Sequence, residues 1–474
     1  MTGRHDGSTE TAGSDRRVRP SSRPDPDRRR FRRWFAAAVV ASWLFRVAYV
    51  LVLKWGETPV GDQIYYSAQA ITIMRGGGYS SPFPPGGFAA DHAPLTAAVL
   101  APFSWWSGPR GVLVQRLVMA TAGAAVVAGT GLLARRLLDR RTALVATVLA
   151  GSHGAFWLND VVIMSETFAA GAVVALLLAV HALIERPSLA TAAAMGIATG
   201  VAGLVRAELV AYGAVLAIVA TVLAARTSRE RVEREPAPRR GGSPSGVGDR
   251  LGGSRGARPW IRLVVAGACA VAVLAPWVVR NQVRFAETTL ISTQDGQTLV
   301  GANCARTYSG LGKGSWDLRC AEEVEVPEGL DQSRRSRILR AEAFAFVGDH
   351  LDEVPGVVAA RLGLGLGVWR VEQMVDLNTG EGRGRWGSRI AAAQWWAVAA
   401  LAAVGLRRWS SSAPRWPILV VAAMTVLTIA AVYGLPRFRI PMEIGAVVAA
   451  SVAVTTGIDR LRARRERGRA AGRG

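Results

Sequence analysis

Ten apolar runs of 16 to 24 residues recur along this 474-residue chain, separated by stretches that hold most of its charge. A helix needs about 20 such residues to cross about 30 Å of hydrocarbon. Only a helix satisfies its own backbone hydrogen bonds within one crossing segment. The runs therefore predict an all-α polytopic membrane protein of about ten spans, counted to within two. Composition enters here: 57 Lys and Arg face 35 Asp and Glu, a net charge of +22, with 50% hydrophobic residues. In a soluble chain that balance would suggest nucleic acid. Because the arginines cluster between apolar runs, the charge is read instead as a topology signal, with basic loops on the cytoplasmic side, and no nucleic-acid partner is expected.

In chain order, residues 1–33 hold ten Arg and five acids among Pro, Ser and Gly, too little apolar surface to fold, and are expected to form a disordered cytoplasmic tail. No small-residue cleavage site follows the next run, so no processing is expected. Residues 34–225 form an N-terminal membrane module. Its first span, Phe35 to Leu53, runs outward, and a first outer loop covers 56–111. Within that loop, 93–106 is short and carries Pro94 and Pro102, so it is expected to lie against the membrane as an interfacial helix rather than cross it. This choice sends Val112 to Leu133 inward and delivers Arg135, Arg136, Arg140 and Arg141 to the cytoplasm. Runs at 142–157, 161–184, 189–205 and 209–225 then alternate. Residues 226–262, with ten Arg, four acids and Gly-Gly-Ser-Pro-Ser-Gly, read as a disordered basic linker.

A span at 263–280 leads to the one long acidic segment, 281–387, with fifteen acids against twelve basic residues; alternation puts it outside. Cys304 and Cys320 both fall there. A disulfide between them agrees with an oxidising compartment, two free thiols being the alternative. The C-terminal helices occupy 388–457, and 458–474, with seven Arg against two acids, is a basic cytoplasmic tail. Both termini are thus expected inside. High Arg, Ala and Gly with almost no Lys is the usage of a high-GC genome, as in actinobacteria.

Polar residues gather at the outer ends of these runs. Asp62, Tyr65 and Tyr66 follow the first span; Asp91 and His92 precede the interfacial helix; Glu166 heads the fourth span; Arg206 and Glu208 join the fifth and sixth; Arg280 follows Pro276-Trp277; Arg437 and Arg439 precede the last. Ionisable groups at membrane depth point to function. Each also has a structural reading: Arg437 and Arg439 as snorkelling anchors, Glu166 and Arg206 as an ion pair, Asp62 as a helix cap, His92 as a loop histidine. The chemistry that uses the whole set is transfer of a sugar from a polyprenyl phosphate to an acceptor hydroxyl. One carboxylate serves as base, and guanidinium forks hold the leaving phosphate. No nucleotide-cradling glycine loop or metal-ligand spacing of His and Cys is visible; no cofactor is assigned, and a divalent metal is left open.

The order of these motifs resembles the GT-C superfamily: an Asp after the first span, His92-Ala93-Pro94-Leu95 before an interfacial helix, Met164-Ser165-Glu166, Pro276-Trp277-Val278-Val279-Arg280-Asn281, and Arg437-Phe438-Arg439-Ile440-Pro441. More narrowly, it is similar to the polyprenyl-phosphate-sugar branch that includes protein O-mannosyltransferases and lipid A aminoarabinose transferases, family 39-like. The resemblance covers most of residues 35 to 457. It implies a GT-C-like helix bundle with juxtamembrane helices in the first outer loop, and inverting transfer at the outer leaflet. It also implies Asp62 as catalytic base and Arg437, Arg439, Arg280 and Arg206 as donor-phosphate contacts. Tyr65, Tyr66, Asp91, His92 and Glu166 would shape the site. Many relatives carry Asp-Glu where this chain has Asp62-Gln63, and two prolines where it has Ala93-Pro94. The implied partners are a polyprenyl-phosphate donor of a mannose- or arabinose-like sugar and a cell-envelope glycan, lipid or secreted-protein acceptor. The alternative from another class is a lipid-linked-sugar flippase or small-molecule transporter, which would place its site near the bilayer midplane between repeats.

Overall fold

The computed structural model describes residues 26–83, 85–234 and 259–471. Most of the expected N-terminal tail and the centre of the expected linker lie outside the described residues.

The loop expected over 56–111 separates two long helices. Helix α1 (Pro26–Leu53) begins nine residues before the expected Phe35 and leads into α2 (Asp62–Met74), a short antiparallel pair β1 (Ser80–Pro82) and β2 (Pro85–Phe88), and α3 (Leu95–Leu100). The interfacial helix expected over 93–106 is thus only α3 and a 3-10 turn at Ala101–Phe103. Pro102 lacks the N–H that an α-helix needs there. Next come α4 (Gly108–Leu137), α5 (Arg140–Ser152), α6 (Gly154–Asn159), α7 (Glu166–Glu185), α8 (Leu189–Val205) and α9 (Leu209–Arg234). The expected third span, 142–157, is a broken helix, α5 and α6, because His153 takes extended backbone angles.

Helix α10 (Pro259–Arg284) opens the second half. Six short helices follow: α11 (Asp295–Ala302), α12 (Ala305–Tyr308), α13 (Arg319–Glu322), α14 (Gln332–Asp349), α15 (Val354–Gly365) and α16 (Val371–Gly380). Cys304 and Cys320 are joined by a disulfide in this region. The chain ends with α17 (Arg385–Arg407), α18 (Trp416–Ala431), a 3-10 turn over Pro436–Arg439, and α19 (Ile440–Ala471).

Seven helical segments among the described residues are long and apolar enough to cross a membrane: α1, α4, α7, the apolar part of α9, α10, α17 and the segment beginning at Pro436. Helices α8 and α18 are apolar but shorter. The molecule is an all-α bundle of membrane-spanning type. Its centre is α19, whose apolar window is 72% buried, while the windows of α1 and α10 are 17% and 11% buried. Apolar side chains on those outer helices, such as Val52, Val271 and Val283, point away from the protein, as lipid-facing residues must.

Close helix pairs depend on glycine. A Cβ at Gly196 of α8 would stand 2.1 Å from the Ala266 carbonyl oxygen of α10, and one at Gly405 of α17 1.8 Å from that of Ala449 in α19. Small residues let membrane helices approach to backbone contact.

Contacts at the helix ends sort the bundle into two faces. At one, Arg136 at the end of α4 pairs with Glu185 at the end of α7, Arg141 at the start of α5 with Asp459, and Arg408 after α17 with Thr456. At the other, Arg116 near the start of α4 donates to the carbonyls of Lys54 and Glu57 after α1. The second face carries the site.

Candidate active site

Gly61 sits at φ +56°, a left-handed backbone angle that glycine adopts without steric cost. The turn it makes places Asp62 as the first residue of α2, where a carboxylate is favoured by the helix dipole. Asp62 is a third exposed, and its Oδ2 accepts from Arg437 Nη1 at 2.9 Å. The His92 ring lies 3.9 Å from Oδ1. His92 in turn stacks on Tyr66 with ring centroids 4.8 Å apart and meets Tyr65 edge-on at 4.9 Å. The helix side of Asp62 is therefore walled by aromatic rings.

Arg437 is the hub. Besides Asp62, its Nη1 stands 3.0 Å from Glu381 Oε1, its Nη2 donates to the Tyr433 hydroxyl at 2.8 Å, and its Nε lies 3.7 Å from Glu166 Oε1. Arg206, in the turn between α8 and α9, donates from Nη1 to Glu166 at 3.2 Å and from Nε to Glu208 at 2.6 Å. The Phe438 ring is shared by both guanidiniums, at 5.0 Å from Arg206 and 5.5 Å from Arg437. Glu166 is buried, and its second oxygen has no hydrogen-bond partner.

Burial would raise the Asp62 carboxyl, but Arg437 and His92 outweigh it and hold it at about 2. Burial first, then the Asp91 carboxylate, push the Tyr65 phenol well above its ordinary range. Asp62 is ionised and Tyr65 protonated across the physiological range. Among the described residues no three His, Cys, Asp or Glu side chains are grouped to hold a metal ion.

Of the arginines expected at the phosphate, Arg437 and Arg206 join Asp62, while Arg280 and Arg439 do not. Arg280 donates to the carbonyls of Tyr79 at 2.5 Å and Ala89 at 2.9 Å and packs 4.9 Å from the Trp277 ring. It fastens the segment between α2 and α3 to α10. Arg439 is buried, paired with Glu443, which also binds His153, and lies over Trp395 at 4.4 Å. Asp91 is turned toward Gln332, whose Nε2 donates to it at 2.8 Å.

Three residues at the site were not legible as such in the sequence: Glu381, Arg383 and Tyr433. Glu381 and Arg383 lie in Gly380-Glu381-Gly382-Arg383-Gly384 just before α17 and pair with each other. Arg383 also donates to Asn159 Oδ1 at 2.6 Å. Gln63 bridges this segment to the turn before α7: its Nε2 donates to the Glu381 carbonyl at 2.9 Å, and its Oε1 accepts from the Ile163 N–H at 3.3 Å. For Glu381 and Arg383, opposite charges flanked by glycines just before an apolar run were the available signal.

No family model matches the chain, and no curated protein matches it. Among solved structures, it is similar to the Archaeoglobus fulgidus oligosaccharyltransferase crystallised with Zn and sulfate, at a TM-score of 0.47 and 15% identity over 90% of this chain and 50% of that one. It is also similar to the same enzyme tethered to an acceptor peptide, at a TM-score of 0.44 and 15% identity over 91% of this chain and 50% of that one. A third similar structure is ArnT from Cupriavidus metallidurans bound to undecaprenyl phosphate, at 0.39 and 17% identity over 89% of this chain and 77% of that one. The chain spans half the length of the oligosaccharyltransferase structures. Likeness of this degree identifies neither a reaction nor a substrate.

Proposed function

We propose that this protein is a membrane glycosyltransferase of GT-C type. It transfers a mannose- or arabinose-like sugar from a polyprenyl-phosphate donor to an extracytoplasmic acceptor hydroxyl, with inversion at the anomeric carbon. The observation that carries this reading is the Asp62–Arg437 pair at 2.9 Å, set among Glu166, Glu381 and Arg206 where the ends of α1, α7, α8, α17 and α18 meet. An ionised carboxylate and a guanidinium side by side are the two groups the reaction needs.

Asp62 takes the proton of the acceptor hydroxyl. The acceptor oxygen bonds to the anomeric carbon as the bond from that carbon to the phosphate oxygen breaks, and the phosphate leaves with the electron pair. Arg437 stabilises the growing charge; Arg206, which shares Glu166 with it, is the other cation at hand. Tyr65, Tyr66, Asp91, His92 and Glu166 shape the walls. The acceptor is a cell-envelope glycan, a lipid or a secreted protein. Both termini face the cytoplasm in this reading, and the site faces outward.

The test is transfer of radiolabelled sugar from polyprenyl-phosphate donors to extracted envelope material in membranes holding the wild type or Asp62→Asn. Asn keeps the shape and takes no proton. A loss of about 10²-fold or more is expected of a missing general base. Equal transfer by both forms would remove Asp62 from the role of base, and transport without transfer would favour the flippase reading.

A further inference from the structure

His92 stands 3.9 Å from Asp62, too far for a hydrogen bond. Its place beside the carboxylate is therefore set by the two tyrosine rings against it and by the backbone that delivers it. That backbone is residues 89–91, of which Ala89 and Ala90 are buried. Buried backbone groups need partners, and here most of them come from far along the chain. The Ala89 N–H donates to the Tyr79 carbonyl at 3.0 Å, and the Ala89 carbonyl accepts from Arg280 at 2.9 Å. The Ala90 carbonyl accepts from the Thr293 N–H at 2.7 Å, the Ala90 N–H donates to Gln332 Oε1 at 3.1 Å, and the Asp91 carbonyl accepts from the Ser292 hydroxyl.

Gln332 uses both ends of its amide. Its Oε1 takes the Ala90 N–H and the Thr293 hydroxyl, while its Nε2 donates to Asp91 Oδ2 at 2.8 Å. A carboxylate at this position could still accept from Ala90 but would repel Asp91; a side chain without polar atoms could do neither. The amide is also firmly placed. Gln332 is the first residue of α14, capped by Asp331, whose carboxylate accepts from the N–H groups of Arg334 and Ala286, both at 2.9 Å. The Ser333 hydroxyl accepts from the Glu287 N–H at 3.0 Å. Asp91 in turn stands against the Tyr65 phenol, whose ring meets His92 edge-on. Gln332 thus reaches His92 by two routes, through the Ala90 backbone and through Asp91 and Tyr65.

We infer that Gln332 is a positioning residue of the active site: from the segment between α10 and α17 it holds Ala90 and Asp91, and so keeps His92 against Asp62. The inference rests on the glycosyltransfer reading for what Asp62 does, and it gives that segment a part in the reaction. At 3.9 Å the imidazole acts on the carboxylate electrostatically, and such an interaction weakens as the groups separate. A misplacement of about 1 Å in a catalytic group can cost about 10²-fold in rate. Gln332 faces neither Arg437 nor the cations beside it, so the donor's binding should not depend on it.

The experiment is transfer from radiolabelled polyprenyl-phosphate mannose and arabinose to extracted envelope material, with hydrogen exchange at residues 89–92 followed in the same full-length preparations in detergent. The forms compared are wild type, Gln332→Ala, Gln332→Glu and the double variant Asp91→Asn/Gln332→Glu, which reverses donor and acceptor across the pair. Gln332→Glu is expected to lower kcat by about tenfold or more while the KM for the donor stays as in wild type, the pattern of an interaction made only in the transition state. Gln332→Ala, which removes the hold without adding repulsion, should lose less, and both should speed exchange at 89–92 with melting temperatures unchanged. The double variant should recover most of the lost kcat and of the protection, a coupling that independent sites do not show. Wild-type kcat and protection in both single variants would overturn the inference and leave the glycosyltransfer reading standing. So would a loss that follows a lowered melting temperature and is not recovered in the double variant, since Gln332 would then serve folding alone, or a raised KM with kcat kept, which would place it in donor binding. No transfer by wild type from either donor would overturn the reading for these sugars. Faster exchange in Gln332→Ala would in that case leave the hold on His92 standing, and unchanged exchange would end it as well.

Discussion

Asp62 and Arg437 hold one another in a state that neither would keep alone. Because the carboxyl lies at about 2 instead of its ordinary 3.8, the pair contributes stability that is complete above about pH 4 and is lost as pH falls toward 2. Melting temperatures of wild type and Asp62→Asn, followed downward in pH, should converge in that window; a constant difference would show that the ion pair is not what separates them. Removing the cation reverses the shift. In Arg437→Gln the carboxyl should titrate at higher pH, so any residual transfer should acquire an acid limb above the wild-type one, and a pH-rate profile reads it. Glu381→Gln tests the hub differently: it removes one of Arg437's carboxylate partners and leaves Asp62 in place, so a tenfold or greater loss of transfer would mark Glu381 as a residue that positions Arg437.

Helix packing determines whether these residues meet. Gly196 and Gly200 keep α8 against α10, with a Cβ at Gly200 falling 2.6 Å from Val273 Cβ. Gly200→Leu is expected to destabilise the protein by about 1–3 kcal/mol, as overpacking does, and to reduce transfer by displacing Arg206 at the C-terminal end of α8. A variant that melts as wild type does would show the α8–α10 contact to be loose. The break at His153 belongs to the same scale. A continuous helix over 140–159 would carry Asn159 along a different line, and with it the Arg383 side chain that Asn159 holds at 2.6 Å.

For the whole molecule, the segment between α10 and α17 is tied to the bundle at several points: Arg361 donates to the Ala302 and Ala430 carbonyls at 2.7 and 3.1 Å, and Gln332 reaches Asp91. The disulfide closes a loop of sequence separation 16 within it. Its reduction is expected to cost about 3 kcal/mol by the loop-closure relation. Melting with and without reductant should show this loss, with two alkylatable thiols appearing alongside Cys269; an unchanged melting temperature would show that the loop is held by its packing alone.

The apolar runs by themselves determined the helical class, the approximate helix boundaries and the end of each helix at which polar residues would stand, because hydropathy and charge are properties of a linear window. Asp62, Glu166, Arg206 and Arg437 were legible for that reason. Which of them touch was decided only by the tertiary structure. Arg437 and Arg439 look equivalent in Pro436-Arg437-Phe438-Arg439, yet they occupy a 3-10 turn, where residues two apart point in different directions. One therefore meets Asp62 and the other Glu443. The same limit hid Arg46, whose partner Asp160 lies 114 residues away at 2.7 Å, and Glu381, which reaches Arg437 from the strap before α17. A sequence window carries the chemistry of a side chain; the rotation of its helix and the neighbour brought beside it set the partner.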